Sequence, residues 1–167
     1  MEDRISFSRF NDTWYKPQSE EENDNWCGGT GSMLAIDYQG IFYPCQRYMA
    51  TSLGKDAKPL IIGNLEEGIG QTEETKKVID ELNSITRRSQ STDECFYCPV
   101  GAGCAWCSAY NYEVFGTPNK RATFICDMHK AEAIANAYYY DMLYFKGKYD
   151  HIIDIGLDSD YVIKLTE

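Results

Sequence analysis

The segment DECFYCPVGAGCAWC, residues 93–107, decides how this chain folds, because it places four cysteines within thirteen positions. Between them stand mostly glycines and other small residues, which lose much conformational freedom on folding and build little core by themselves. The segment therefore needs something to organise it. The chain has seven cysteines in all, which are Cys27, Cys45, Cys95, Cys98, Cys104, Cys107 and Cys126.

The composition describes an acidic globular protein. The chain has 167 residues, 43% of them apolar and 14% aromatic, which is enough for one domain with a core or one domain with an arm. The formal net charge of −10 repels phosphate backbones and anionic lipids, so we expect no nucleic-acid partner and no membrane partner. The sequence has no secretory signal and no apolar run of about 20 residues, so we expect a cytoplasmic protein. Thiols stay reduced there, which favours metal binding over disulfides.

Three regions are predicted along the chain. Residues 1–25 are a polar arm with a run of acidic residues, residues 26–147 form the main domain, and residues 148–167 are a tail whose alternating apolar positions indicate a strand. Within the domain, apolar runs on both sides of a Gln39-Gly40 turn predict a β-hairpin from Met33 to Cys45. Leu60 to Ile62 is predicted as a further strand.

Two amphipathic helices are predicted. Thr72 is expected to cap the first, and Arg87 and Arg88 are expected at its C-terminal end, where cations suit the helix dipole. Its apolar stripe consists of Val78, Ile79, Leu82 and Ile85. The second helix follows Cys126 and is expected to end at Gly147. Its apolar face consists of Ile134, Tyr138, Met142 and Phe145. The predicted class is α+β, with small β-hairpins and helices organised around two metal clusters, and with the second helix packed across them.

The cysteine spacing favours iron over a single structural zinc. A C-x2-C loop can turn two thiolates toward one metal, and thiolates suit both zinc and iron–sulfur clusters. Here only five residues separate Cys98 from Cys104, whereas about 12 to 20 residues separate the two halves of common zinc modules. Seven thiolates are also one short of two complete four-cysteine sites. A zinc-stabilised interaction module without a redox role stays open as the alternative. An iron–sulfur electron carrier acting alone is disfavoured, because ferredoxins use tighter cysteine runs.

In order and spacing, the cysteines resemble those of the SPASM domain, the C-terminal extension of many radical S-adenosylmethionine enzymes that modify peptides. That signature is C-x9-15-G-x4-C, a gap, C-x2-C-x5-C-x3-C, a gap and a last cysteine. With Gly40 as its glycine, residues 27–126 follow it. The sequences YPC at residues 43–45 and IGNL at residues 62–65 are also similar to such domains. The one departure is that two residues, rather than three, separate Cys104 from Cys107, which affects the placement of Cys107.

The resemblance implies two auxiliary [4Fe-4S] clusters, with zinc as a possible substitute. One cluster would be held by a set of four cysteines: Cys95, Cys98, Cys104 and Cys126. The other would be held by a set of three: Cys27, Cys45 and Cys107. Some family members add a further cysteine shortly after the first, but GGTGSMLAID, residues 28–37, has none. The second cluster would then keep one open iron, for a substrate thiolate, another residue or water.

The resemblance also implies what the chain lacks and what it works with. The C-x3-C-x2-C motif of the S-adenosylmethionine-binding barrel does not occur in the sequence, so this chain alone is not expected to cleave S-adenosylmethionine. The expected partners are an N-terminal radical S-adenosylmethionine domain and a peptide or protein substrate, possibly one containing cysteine. The expected roles are electron transfer and substrate positioning. Candidate peptide-facing residues are Tyr43, Gln46, Arg47 and Tyr48. His129 is expected to be a surface or capping residue of the second helix.

Overall fold

The hairpin predicted at residues 33–45 is confirmed in the computed structural model, which describes residues 16–22, 27–104 and 106–157. Strand β1, Ala35–Ile36, pairs antiparallel with strand β2, Ile41–Tyr43. The connecting turn is held by the Asp37 carboxylate, which accepts hydrogen bonds from the backbone N–H groups of Gln39 and Ile41 at 2.9 and 3.0 Å. Gly40 has a φ of 78°, a left-handed conformation that glycine adopts without steric cost.

Two further short strands complete an antiparallel sheet in the order β1-β2-β3-β4. They are β3, Gly63–Asn64, and β4, Gly68–Ile69. The predicted strand at Leu60–Ile62 is therefore wrong, because the ladder begins one residue later, where Gly63 pairs with Phe42. A side chain at Gly63 would collide with the Gly68 carbonyl, so only glycine allows this close pairing. The apolar run instead contributes Ile62 to the core.

The first predicted helix is confirmed as α1, Glu73–Ser84. Thr72 caps it as expected: its side chain accepts from the Thr75 N–H, and the Thr75 side chain accepts from the Thr72 N–H. The expectation that Arg87 and Arg88 end this helix is wrong. Both belong to a separate short helix, α2, Arg87–Gln90, because Thr86 caps a new start by accepting from the Ser89 N–H.

The described residues divide into two compact units, and α1, α2 and the sheet belong to the first, which spans residues 20–92 and 105–122. Helix α4, Ser108–Phe115, is also in this unit. The sheet, α1 and α4 enclose one apolar core, because each buries one face against the others. Its buried members are Phe42, Tyr43, Cys45, Tyr48, Ile62, Leu82, Ile85 and Ala109.

The second unit contains residues 93–104 and 123–157, together with the described residues up to 19. Its helices are α3, Asp93–Phe96, and α5, Cys126–Phe145, with a 3-10 turn at Gly101–Gly103. The turn is tied to the N-terminal segment by two backbone-directed hydrogen bonds. The Ala102 N–H donates to the Lys16 carbonyl, and the Gln18 side-chain amide donates to the Gly101 carbonyl, both at 2.9 Å.

The predicted apolar face of α5 is wrong. Tyr138 and Phe145 are 67% and 73% exposed, whereas the buried positions of the helix are His129, Ala133, Asn136 and Ala137. These four share a face at helical spacing, and the small alanine side chains fit a tightly packed environment. The end of the helix is as predicted, since Gly147 has a φ of 67° and its N–H donates to the Tyr144 carbonyl at 2.8 Å.

The outer regions are described only in part. Glu20–Glu22 of the acidic run forms a 3-10 turn, and most of the predicted arm lies outside the described residues. Residues 151–157 of the tail form no strand, and residues 158–167, where the rest of that prediction falls, are not described. The mixed α+β class is confirmed. Among the helices of the described ranges, none combines the length and the apolar character needed to cross a membrane.

Asp37 should make the stability of the first unit depend on pH. A hydrogen bond from the Ile41 N–H is the largest influence on the pKa of Asp37 and lowers it from its ordinary value of 3.8. Burial is the next largest and opposes this, and the Tyr43 hydroxyl and the backbone of Gln39 and Gly40 add further lowering. A lowered folded-state pKa means that this stability is present above the unfolded-state pKa and is lost as the pH falls through the folded-state pKa. We expect the urea midpoint of the parent chain to fall between about pH 5 and pH 2 more than that of Asp37→Asn.

Tyr43→Phe serves as the graded comparison for this pH measurement. It removes only the phenol that donates to the Asp37 carboxylate at 2.9 Å, and leaves the backbone donors in place. Its pH dependence should lie between those of the parent and of Asp37→Asn. Parallel curves for the parent and Asp37→Asn would contradict the role of the carboxylate.

Candidate metal centre

The three cysteines of the first unit, Cys27, Cys45 and Cys107, come together although they are far apart in sequence. A Cβ atom placed on Gly29 would lie 3.2 Å from Cys45 Sγ and 3.5 Å from Cys27 Sγ, so both sulfurs face the same glycine. The pKa of Cys45 is raised first by burial and then by the neighbouring sulfurs of Cys27 and Cys107. The three thiols therefore lie close enough to repel one another when ionised.

A tight turn presents backbone donors to Cys45. This residue is 6% exposed and immediately precedes a 3-10 turn at Gln46–Tyr48. Backbone N–H groups of Arg47 and Tyr48 act on the sulfur and lower the pKa of Cys45, opposing the effect of burial. Donors of this kind stabilise a thiolate in a buried place, and they orient a sulfur ligand before any metal arrives.

Helix α4 positions Cys107 and the residue after it. Cys107 is the N-cap of α4, and its carbonyl accepts from the Asn111 N–H at 3.0 Å. Asn111 is buried, and its side-chain oxygen accepts from the Ala122 N–H at 2.9 Å. Arg47 adds a second link, because its guanidinium donates to the Ser52 carbonyl at 2.7 Å and lies 3.5 Å from the Glu113 carboxylate. Thus the helix carrying Cys107 is tied to the turn that follows Cys45.

Two buried hydroxyl groups accompany these thiols. Ser108 is fully buried, with its Oγ 3.2 Å from Cys27 Sγ. Tyr48 is also fully buried, and its Oη has no hydrogen-bond partner in the described part of the chain. Burial raises the pKa of Tyr48, and the sulfurs of all three cysteines raise it further. The nearby Ser108 hydroxyl has the opposite effect and lowers that pKa, as the largest influence after burial.

The second unit contains Cys95, Cys98, Cys104 and Cys126. The C-x2-C segment folds as a turn, in which the Cys98 N–H donates to the Cys95 carbonyl at 3.4 Å and the Gly101 N–H donates to the Cys98 carbonyl at 2.8 Å. The pKa of Cys126, the first residue of α5, is raised by burial and then by Cys95 and Cys98, while Lys130 lowers it. The sulfurs of Cys95 and Cys98 therefore both lie near that of Cys126. Cys104 follows the 3-10 turn at Gly101–Gly103 in the same unit.

Other candidate residues are placed differently from their predictions. His129 is 8% exposed, so its prediction as a surface or capping residue is wrong; its Nδ1 lies 3.8 Å from Glu132 Oε2. Tyr43 and Tyr48 cannot face a peptide in solution, because both side chains belong to the buried core. Gln46 is exposed and Arg47 is half-buried, so these two remain candidates for such a surface.

The donor chemistry of both sets fits a thiolate-bound metal group. All seven cysteines are free thiols, and thiolates are the ligands of iron–sulfur clusters and of zinc. In the three-cysteine set, the missing side chain of Gly29 leaves a space beside the sulfurs of Cys27 and Cys45 that a single methyl group would fill. No three His, Cys, Asp or Glu side chains within the described ranges converge tightly enough to share a single ion. Sulfurs around one zinc would lie about 3.8 Å apart, since Zn–S bonds are about 2.3 Å. In a cluster each cysteine ligates its own iron, so its sulfurs lie farther apart than sulfurs that share one ion.

An apolar groove of about 290 Å³ lies beside the three-cysteine set, within the first unit. Pro44, which precedes Cys45, and Gly31, which follows the turn after Cys27, contribute to its wall. Side chains of Met33, Leu34 and Ile69 line it and are nearly half exposed. The groove can accept an apolar side chain of a ligand.

Comparison of this chain with models of known protein families, with curated proteins and with solved structures finds no match.

The sequence analysis did not identify Gly29, Ser108 or the hydroxyl of Tyr48 as parts of this site. The Gly28-Gly29 pair directly after Cys27 was a usable signal, because paired glycines at a cysteine indicate close approach of the backbone to a ligand. Ser108 directly follows Cys107, but a serine beside a cysteine is common and carries no information about burial. Its contact with Cys27, 81 positions away, is a result of tertiary folding.

Gly29→Ala should impair metal binding by the three-cysteine set and leave metal binding by the four-cysteine set unchanged. The new methyl would press on Cys45 Sγ and on Ser108 Oγ at 3.2 and 3.3 Å, which is closer than ordinary van der Waals contact. Overpacking of this kind costs about 1–3 kcal/mol, and here the sulfur ligands would have to move. We expect less metal per chain after anaerobic reconstitution, measured by elemental analysis.

Gly28→Ala is the matched control for this substitution. A Cβ at Gly28 would lie 2.5 Å from Met33 Cγ and 2.6 Å from Met33 Sδ, and this flexible, half-exposed side chain can rotate away without moving a cysteine. The control should retain the parental metal content. Equal metal content in both variants would show that Gly29 does not limit space at the sulfurs.

Proposed function

We propose that this chain is an auxiliary iron–sulfur domain of a peptide-modifying radical S-adenosylmethionine enzyme. The observation that carries the proposal is the grouping of the cysteines. Cys27, Cys45 and Cys107 are neighbours in one unit, whereas Cys95, Cys98 and Cys126 are neighbours in the other. Cys104 lies in the same unit as Cys95, Cys98 and Cys126, so the units hold three and four cysteines, the division that the resemblance to SPASM domains implies for two [4Fe-4S] clusters.

The position of Cys107 bears on the one departure from the family spacing. Although only two residues separate it from Cys104, the two cysteines belong to different units. Cys107 begins α4 and approaches Cys27 and Cys45, while Cys104 follows a turn of the other unit. The shortened spacing is therefore compatible with the ligand assignment that the resemblance implies.

When bound, such clusters supply one-electron transfer and, at an open iron, a site for a thiolate ligand. The residues of the chain would hold the sulfurs in place, donate backbone N–H groups to Cys45 and exclude water through the core around Tyr48. The apolar groove beside this set would help to position a peptide substrate, an orientation effect.

The partners follow from the same proposal. The barrel that binds S-adenosylmethionine would be supplied by an N-terminal radical enzyme domain, and the substrate would be a peptide or protein, such as one containing cysteine. A reducing cytoplasm would keep the seven thiols available as ligands. The zinc-stabilised interaction module is the competing interpretation that the first experiment must distinguish.

Metal analysis tests the proposed function directly. After anaerobic reconstitution, we expect about eight irons and eight acid-labile sulfides per chain, with a brown colour from sulfide-to-iron charge transfer. The measurement is iron, sulfide and zinc content together with the visible spectrum of the same sample. One or two zincs with no sulfide, in a colourless anaerobic solution, would replace the proposal with the interaction module.

Single cysteine substitutions test the division into two sets. Cys107→Ala should lose about half of the iron and keep the cluster of the four-cysteine set, because its sulfur belongs with Cys27 and Cys45. Cys126→Ala should lose the other half. The readout is iron content combined with electron paramagnetic resonance of the reduced samples. If both variants lost the same signal, the assignment of Cys107 to a separate cluster would be wrong.

A further inference from the structure

Ser108 is placed where its hydroxyl group can act on the sulfur of Cys27. Its side chain is fully buried, so water does not satisfy its hydroxyl group. Its Oγ lies 3.2 Å from Cys27 Sγ, a hydrogen-bonding distance for sulfur. Ser108 Oγ and the sulfurs of Cys27 and Cys45 all face Gly29, because they are the three atoms nearest to a Cβ placed on that glycine.

The direction of this hydrogen bond is determined by the state of Cys27. Between a free thiol and a hydroxyl, either atom can donate. A cysteine that ligates a metal does so as a thiolate, which has no proton and can only accept. With Cys27 as a ligand, Ser108 must donate its O–H to the sulfur.

Tyr48 supplies a second hydroxyl to the same place, by an independent observation. Its ring packs in the core at 6.0 Å from the Tyr112 ring, and its side chain is fully buried. The Oη has no partner in the described part of the chain, and an unpaired buried O–H is costly. The sulfurs of Cys27, Cys45 and Cys107 lie close enough to raise the pKa of Tyr48, so an acceptor bound among those sulfurs would satisfy its Oη.

We propose that the hydroxyl groups of Ser108 and Tyr48 set the reduction potential of the cluster held by Cys27, Cys45 and Cys107. Both residues act through the ligand sulfurs and do not touch a substrate. This inference rests on the proposed function. Reduction adds one negative charge to a cluster and its thiolates, and O–H donors to sulfur stabilise that charge. Both hydroxyls therefore raise the potential of this cluster and favour its acceptance of an electron.

The test measures the midpoint potentials of both clusters in the reconstituted full chain, by redox titration followed by electron paramagnetic resonance. The signal of the three-cysteine set is first identified as the one lost in Cys27→Ala. Ser108→Ala should shift this midpoint to a more negative value and leave that of the other cluster unchanged, which makes the second cluster an internal control. Ser108→Thr keeps a hydroxyl group and should bring the midpoint back toward the parental value.

Tyr48→Phe provides a second variant that keeps the ring in the core and removes only the O–H. It should shift the same midpoint potential to a more negative value. If Ser108→Ala fails to bind the cluster, Tyr48→Phe tests the inference by itself. If every variant that binds the cluster has the same midpoint potential as the parent within titration error, the inference is overturned, but the proposed function stands. Parental protein that holds no sulfide overturns the proposed function itself, and these two results are distinguished by the iron and sulfide content of the same samples.

Discussion

The first unit depends on bringing together three cysteines from separate parts of the chain, of which Cys45 is buried and Cys27 and Cys107 are partly buried. Cys45 belongs to the core of the first unit, and its neighbours Cys27 and Cys107 come from segments 18 positions before it and 62 positions after it. Burying several ionisable thiols together is unfavourable when they are charged, because each loses water and repels the others. Under the proposed function, a metal group would remove that cost by accepting the negative charge, so folding and metal binding would be coupled.

The first unit supports its sulfurs with short, well-defined elements. The turn after Cys45 supplies backbone N–H groups, and α4 begins at Cys107, so each sulfur stands at the start of an element rather than within a loop. The contacts from Arg47 to Ser52 and Glu113 link those two elements. Ligands held at element ends keep their geometry without metal, which lowers the reorganisation needed for binding or electron transfer.

Much of the local structure was predictable because it depends on neighbouring residues. The hairpin follows from apolar runs flanking a turn with glycine, and α1 follows from Thr72 and an apolar stripe. The strand at Leu60–Ile62 and the apolar face of α5 were predicted wrongly, because hydrophobicity alone does not show which apolar residues become covered. Gly63 pairs in the sheet because only glycine permits the close approach of the Gly68 carbonyl. Helix α5 buries Ala133 and Ala137, while Tyr138 and Phe145 stay exposed.

By itself, the sequence determined the α+β class, the turns, the helix caps and the free cysteines as candidate ligands, since these properties depend on residue type and short spacing. Only the tertiary structure decided which sulfurs are neighbours, that Gly29 leaves room beside them, and that Ser108 and Tyr48 bring buried hydroxyls to the same place. The physical reason is distance along the chain. Contacts such as Ser108 with Cys27 form when the core closes, and no local pattern encodes them.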